Sequence, residues 1–147
     1  MIDKTKSPPL SQDAAIVLAL AGTAVPFASS PEAEAERWLR ILRLHGQVGC
    51  AMQALGVGEA PLESPAEPKS IRLLRPRPLG EDIIEIVADR AGRLAVAREA
   101  DLVCTVDVFF ALSEVYGWTL DRALYLRGAT REELLEKLST QQQVEAN

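Results

Sequence analysis

The sequence predicts an all-α fold of about seven or eight helices, arranged as a pseudo-twofold duplicated helical repeat. Three observations lead to this prediction. Apolar residues recur at spacings of three and four, helix-starting and helix-ending residues divide the chain at short intervals, and the second half repeats the apolar pattern of the first. The chain has 147 residues, of which 48% are hydrophobic and 25% charged, so it can form one domain with one core.

The predicted helices span residues 11 to 25, 31 to 46, 48 to 55, 79 to 96, 106 to 116, 120 to 126 and 134 to 138. Ser11 is the predicted N-cap of the first helix, and Asp13 suits its first turn because a negative charge there opposes the helix dipole. Residues 14–28 also have the outline of a signal peptide, which is the alternative interpretation. The duplication described below favours a helix of the folded domain.

Cap and turn residues define the next two helices. Ser30 and Pro31 combine a capping side chain with a fixed φ that suits the first helical position, so the second helix is predicted to begin there. Gly56 and Val57 are predicted to close the third helix. Glycine takes the left-handed conformation at a helix C-terminus, and valine makes the accompanying apolar contact.

Residues 58–78 contain five prolines and predict an extended connection. Beyond it, Thr105 is the predicted N-cap of a helix that Gly117 ends. Thr130 and Glu133, three residues apart, predict a capping box at the start of the last helix. We expect the polar residues 139–147 to form a flexible tail.

The two halves are related by an internal duplication. At an offset of 71 residues, Trp38 falls on Phe109 and Gly46 on Gly117. A repeat this short cannot bury enough apolar surface alone, so we expect both repeats to share one core. The single predicted domain, 10–138, comprises repeat 10–57, connection 58–78 and repeat 79–138.

Five segments carry the repeated helical pattern: AERWLRIL (35–42), CAMQALGV (50–57), CTVDVFFAL (104–112), DRALYLRGA (121–129) and TREELLEKL (130–138). They resemble the N-terminal domain repeat of Clp-family AAA+ unfoldases, in which a helix reading roughly GTEHLLLALL precedes one reading roughly VAARVLRELGV. The resemblance covers about residues 10–138 and consists mostly of apolar pattern. The family's Glu-His pair is replaced by Ala35-Glu36 and Val106-Asp107, and the first repeat shows no fourth helix.

The resemblance implies a non-catalytic protein- or peptide-binding module. Its expected partners are a Clp-type ATPase, the adaptor of such an ATPase, or a client. The module would then act as an adaptor, a decoy or a recruited subunit. By resemblance, the binding groove lies where the repeats meet and comprises Leu10, Leu79, Ala35, Glu36, Val106 and Asp107. An accessory subunit of a secretion system, binding a sheath or effector helix, is an alternative.

A small helical enzyme is the alternative from another class. Asp82, Glu85 and Asp89 share a helix face at spacings suited to acid–base catalysis, although the interleaved arginines favour a solvated face. No metal or cofactor is expected, because the chain has one histidine and two widely separated cysteines. We expect both cysteines to be buried and reduced, as is typical of a cytoplasmic protein.

Charge and aromatic content restrict the partners. The net charge of −5 argues against nucleic acid, and no apolar run is long enough to predict a membrane span. The chain has no phosphate-binding loop, so we expect another chain to supply any energy that the process needs. Trp118, which follows Gly117 at a helix start, is the predicted surface anchor for a partner.

Overall fold

The computed structural model describes residues 8–58 and 82–146, with side chains up to residue 140. Within these ranges the chain forms seven α-helices and one 3₁₀ turn, with one isolated bridge and no strand, which confirms the all-α prediction. The helices are α1 Gln12–Gly22, α2 Pro31–Leu42, α3 Gly46–Ala54, α4 Ile83–Ala97, α5 Thr105–Tyr116, α6 Trp118–Leu126 and α7 Arg131–Ala146. Among the described helices, none has the length and apolar character needed to cross a membrane. The predicted connection lies outside the described residues, except for Gly58.

Three predicted helix starts are confirmed. The hydroxyls of Ser11 and Ser30 each accept a hydrogen bond of 3.1 Å from the backbone N–H three residues further on. Thr130 and Glu133 form the predicted capping box, in which each side chain accepts from the other residue's backbone N–H, at 3.1 and 2.9 Å. Each cap satisfies an N–H that has no partner within the helix.

Several helix ends differ from the prediction. The first helix ends at Gly22, and Val25–Phe27 forms a separate 3₁₀ turn, because Pro26 lacks an N–H and disfavours the α conformation in the residue before it. The second helix ends at Leu42. A short turn then leads to Gly46, which is the first residue of α3 and has a φ of 70°. The last helix continues to Ala146, past the predicted domain end at residue 138.

The start of α5 corrects another prediction. Thr105 is the first helical residue and not the N-cap. The carboxylate of Asp107 instead accepts from the backbone N–H of Cys104, at 2.9 Å. The side chain of Thr105 is buried, and a Cβ added to Gly46 would lie 2.5 Å from its hydroxyl. Thr105 therefore packs against the first turn of α3, a contact between residues distant in sequence.

Both halves contribute to one hydrophobic core. The packing is reciprocal, because α2 of the first half lies on α6 of the second, and α5 of the second half lies on α3 of the first. In addition, α4 packs along α5, and α7 packs on α3. Neither half therefore has a complete core without the other.

A three-helix order recurs in the two halves. Both α2 and α5 contain 12 residues, and both α3 and α6 contain 9. The buried positions of α2 match those of α5 at an offset of 74, which pairs Trp38 with Leu112 and Leu42 with Tyr116. The predicted offset of 71 pairs Trp38 with Phe109 and Gly46 with Gly117, but burial follows the helix starts, and five of the six buried positions of α2 match at an offset of 74.

Equivalent turns end α3 and α6. Gly56 and Gly128 follow these helices with φ of 83° and 114°, conformations that glycine adopts without steric cost. In each turn the next residue donates its N–H to a carbonyl of the preceding helical turn, at 2.9 and 3.3 Å. The two turns are adjacent, since Gly58 donates its N–H to the carbonyl of Arg127 at 3.1 Å.

Candidate protein-docking surface

The structure brings part of the predicted groove together. Backbone hydrogen bonds of 2.9 Å join the N-terminal segment to Val103, and Leu10 forms an isolated parallel bridge with this residue. Leu10 therefore lies beside the start of α5, where Val106 is half-buried. Leu10 and Leu102 are both partly exposed, at 42% and 43%.

Other residues of the predicted groove are not available to a partner. Ala35 is 0% exposed and Asp107 1% exposed, so both are interior residues, which corrects their assignment as contact residues. Glu36 is half-buried on α2, and Leu79 lies outside the described residues. The resemblance supplied these positions without information on which side of each helix is buried.

Asp107 has a structural role. Its carboxylate accepts two hydrogen bonds from the guanidinium of Arg98, at 2.7 and 2.6 Å, besides the one from Cys104. The hydrogen bonds from Arg98 to Asp107 raise the pKa of Arg98. Arg98 therefore stays positively charged at every pH at which the protein is studied, and it holds the loop after α4 against α5.

The carboxylates of the alternative enzyme hypothesis do not converge. Asp82 caps α4 by accepting from the N–H of Ile84 at 2.9 Å, and Asp89 pairs with Arg93 at 3.1 Å. Glu85 is exposed on the same helix. These contacts are typical of the solvated helix face that the interleaved arginines favour.

The remaining candidate ligands are also separate. In the described parts of the chain, no three His, Cys, Asp or Glu side chains are grouped as a metal site would require. Both cysteines are free, as expected. The expectation of burial was wrong, because Cys50 is exposed and Cys104 is half-buried.

Two large aromatic side chains, one of them the predicted anchor Trp118, are exposed on the outer face of α6. Trp118 is 71% exposed and Tyr125 69% exposed. Arg122 is exposed between them, and spacings of four and three residues place all three on one side of the helix. We call Trp118, Arg122 and Tyr125 the α6 stripe. The exposure predicted for Trp118 is thus confirmed, and two neighbours are added to it.

The rest of the fold determines how the α6 stripe is presented. Leu120, Ala123 and Leu124 bury the opposite side of α6. Gly117, with φ of 58°, connects α5 directly to α6, and a 3.5 Å ion pair between Asp121 and Arg131 joins α6 to the start of α7. The stripe therefore stands on a short helix whose first turn is joined to both α5 and α7.

Arg122 and Tyr125 were missed at the sequence level, although a signal for them exists. Leu120 and Leu124 define the buried side of α6, and residues four and seven positions beyond Trp118 then lie on the opposite side. Sequence reasoning had assigned the helix but had not examined its polar side. The stripe could have been found from the spacing alone.

A buried polar network links α2 to α5 beneath this surface. The indole N–H of Trp38 donates to the hydroxyl of Tyr116 at 3.1 Å, and that hydroxyl donates to the carboxylate of Glu34 at 2.7 Å. Glu34 and Tyr116 are both buried, and Trp38 is a core residue, as predicted. The network joins two helices that belong to different halves.

Comparisons with protein-family models, curated proteins and solved structures give no match to this chain. The resemblance to Clp N-terminal domains therefore stays an expectation based on sequence pattern.

Proposed function

We propose that this protein is a non-catalytic protein- or peptide-binding module whose docking surface is the α6 stripe. One observation carries the proposal: two large aromatic side chains, Trp118 and Tyr125, are about 70% exposed on one side of a single helix. Trp, Tyr and Arg are the residue types most enriched among those that dominate binding energy at protein interfaces. Together, Trp118, Arg122 and Tyr125 supply all three.

The proposal extends to the class of partner. The resemblance to Clp N-terminal domains suggests a Clp-type ATPase, an adaptor or an unfolded client, with this chain as adaptor, decoy or recruited subunit. The recurring α1–α2–α3 and α4–α5–α6 order supports this interpretation, since the family's repeat has the same sequence of elements.

Comparative capture from a cell extract tests the docking surface. Three proteins are immobilised at equal density: the wild type, Trp118→Ala/Tyr125→Ala, and a control in which Leu20 and Phe27 are changed to alanine. Leu20 and Phe27 are also exposed apolar residues, at 43% and 76%. Wild type and control are expected to retain the same proteins, and the α6 variant to lose them by about tenfold or more, as for residues that dominate an interface.

Two results would contradict the proposal. One is an α6 variant that captures the same proteins as the wild type in equal amounts. The other is turnover of a small-molecule substrate by the purified chain. Thermal unfolding is measured alongside, because both aromatic side chains are exposed and their removal should leave stability within about 0.5 kcal/mol.

A further inference from the structure

The α6 stripe contains a cation without a partner. Among the described residues, Arg122 takes part in no ion pair or hydrogen bond, whereas its neighbour Asp121 pairs with Arg131. Asp121 is therefore already engaged and does not neutralise Arg122. With respect to the described parts of the chain, the stripe has one positive charge without an ion-pair partner between two aromatic rings.

Three more arginines, Arg127, Arg40 and Arg43, lie near the end of α6. At the end of α6, Arg127 is buried and donates to the carbonyls of Glu36 and Gly58, at 3.3 and 3.4 Å. Burial is the main cause that lowers the pKa of Arg127, and Glu36 opposes this effect. Arg40, which is exposed, and Arg43 are close enough to lower that pKa further.

These positive charges belong to a chain whose net charge is −5. Arg40 is an exposed cation near the end of α6, and Arg122 is an exposed cation on α6 itself. An isolated cation flanked by apolar side chains favours a partner that carries a carboxylate among apolar residues. A polyanion is disfavoured, because the negative charge of the complete protein repels it at longer range.

We infer that the α6 stripe binds an acidic amphipathic protein segment, in which apolar side chains contact Trp118 and Tyr125 and a carboxylate pairs with Arg122. This inference rests on the proposed function and specifies the chemistry of the partner. The aromatic rings provide the contact area, and Arg122 provides the selection for negative charge.

Three synthetic helical peptides test the inference. They share identical Leu and Phe positions and carry Glu, Gln or Lys at the flanking positions. Binding is followed through the fluorescence anisotropy of a dye attached to each peptide, so that the variant without Trp118 gives the same signal as the wild type. The Glu peptide is expected to bind about three- to tenfold tighter than the Gln peptide at low salt and the Lys peptide weakest. The preference should decrease as salt screens the charges.

A matched pair of variants isolates Arg122. Arg122→Gln is expected to remove the preference for the Glu peptide and to leave the affinity for the Gln peptide within about twofold. Arg93→Gln makes the same change in net charge at an exposed position of α4, and it should retain the preference. Equal affinities for the Glu and Gln peptides, or an equal loss of preference in both variants, would overturn the inference.

The outcomes of these binding experiments distinguish failure of this inference from failure of the proposed function. If the peptides bind with aromatic dependence but no charge preference, only the inference fails. If Trp118→Ala/Tyr125→Ala binds every peptide as the wild type does, or if no peptide binds, both fail. Arg122-dependent binding of duplex DNA or of anionic phosphatidylserine vesicles that exceeds binding of the Glu peptide would overturn the inference. A dimer that the double variant dissociates would also overturn it, since the occupant is then a second copy.

Discussion

Glu99 holds a backbone conformation that usually belongs to glycine. It follows α4 with φ of 60°, and the turn around it is closed by a 2.9 Å hydrogen bond from the N–H of Ala100 to the carbonyl of Ala95. Gly56 occupies the same place relative to the end of α3, one residue after the C-cap, and has a φ of 83°. A side chain in this region costs about 1 kcal/mol, because Cβ approaches the backbone.

Adding glycine at one of these turns and removing it from the other should change the free energy of unfolding in opposite directions. Glu99→Gly is expected to raise the free energy of unfolding by about 0.5–1 kcal/mol, and Gly56→Ala to lower it by about 1 kcal/mol. Apart from the adjoining residues, no atom of the described chain lies within 4 Å of a Cβ added at Gly56, so the cost there is conformational. Urea titration measures both changes. Glu99→Ala is the control and retains the strain, so a Glu99→Gly protein no more stable than it would contradict this prediction.

Helix starts could be predicted from sequence where the capping groups are local. Ser11, Ser30 and the Thr130–Glu133 pair bond to N–H groups within three residues, and all were assigned correctly. At the start of α5 the hydrogen bond from Cys104 to Asp107 also spans three residues, yet Thr105 was predicted as the cap. The difference depends on contacts that are not local, because Arg98 fixes Asp107 and Thr105 packs against Gly46 of the other half.

The same distinction explains the outcome for the candidate site. Trp118 was predicted because Gly117 before it marks a helix start, which is a local signal. Ala35 and Asp107 were assigned to a groove, yet packing between helices buries both. Burial of this kind depends on which helices meet, and the order of residues along one helix does not reveal it.

The contact between α2 and α3 depends on one glycine. A Cβ added to Gly49 would lie 2.7 Å from the carbonyl oxygen of Leu42 and 2.8 Å from that of Arg43. Both atoms belong to the backbone and cannot move without shifting the end of α2. By contrast, a Cβ added to Gly22 at the end of α1 would have no described atom within 4 Å other than those of its own helix and adjoining residues.

The two glycine-to-alanine changes should therefore differ in sign. Gly49→Ala is expected to lower the free energy of unfolding by about 2 kcal/mol, since the steric cost exceeds the gain in helix propensity. Gly22→Ala is expected to be neutral or to raise it by about 0.5 kcal/mol. Chemical denaturation followed by far-ultraviolet circular dichroism measures both. Equal effects at the two positions would show that the close approach at Gly49 is absent.

The seven described helices share one core, since α2 lies on α6 and α5 on α3, and we expect them to unfold as one cooperative unit. The hydroxyl of Tyr116 connects the halves through Trp38 and Glu34. Removing a buried hydroxyl leaves its former partners with unmet hydrogen bonds. Loss of this one group should thus weaken both halves together.

Tyr116→Phe is expected to lower the free energy of unfolding by about 2 kcal/mol without changing the dependence on denaturant. Fluorescence of buried Trp38 and circular dichroism should report the same midpoint, since one core unfolds in one step. Tyr125→Phe removes the same atom from an exposed ring and should change stability by less than about 0.5 kcal/mol. Two separate transitions would show that the halves unfold independently.

The reciprocal packing of the helices also affects how the chain folds during synthesis. When residues 8–58 have left the ribosome, α5 and α6 are not yet available to cover α3 and α2. Val48 and Met52 of α3, and Trp38 of α2, then have no complete core to enter. The apolar side chains of the first half therefore stay uncovered until about seventy more residues are translated. At ordinary elongation rates this takes several seconds. During that interval the nascent chain is a natural client for a chaperone.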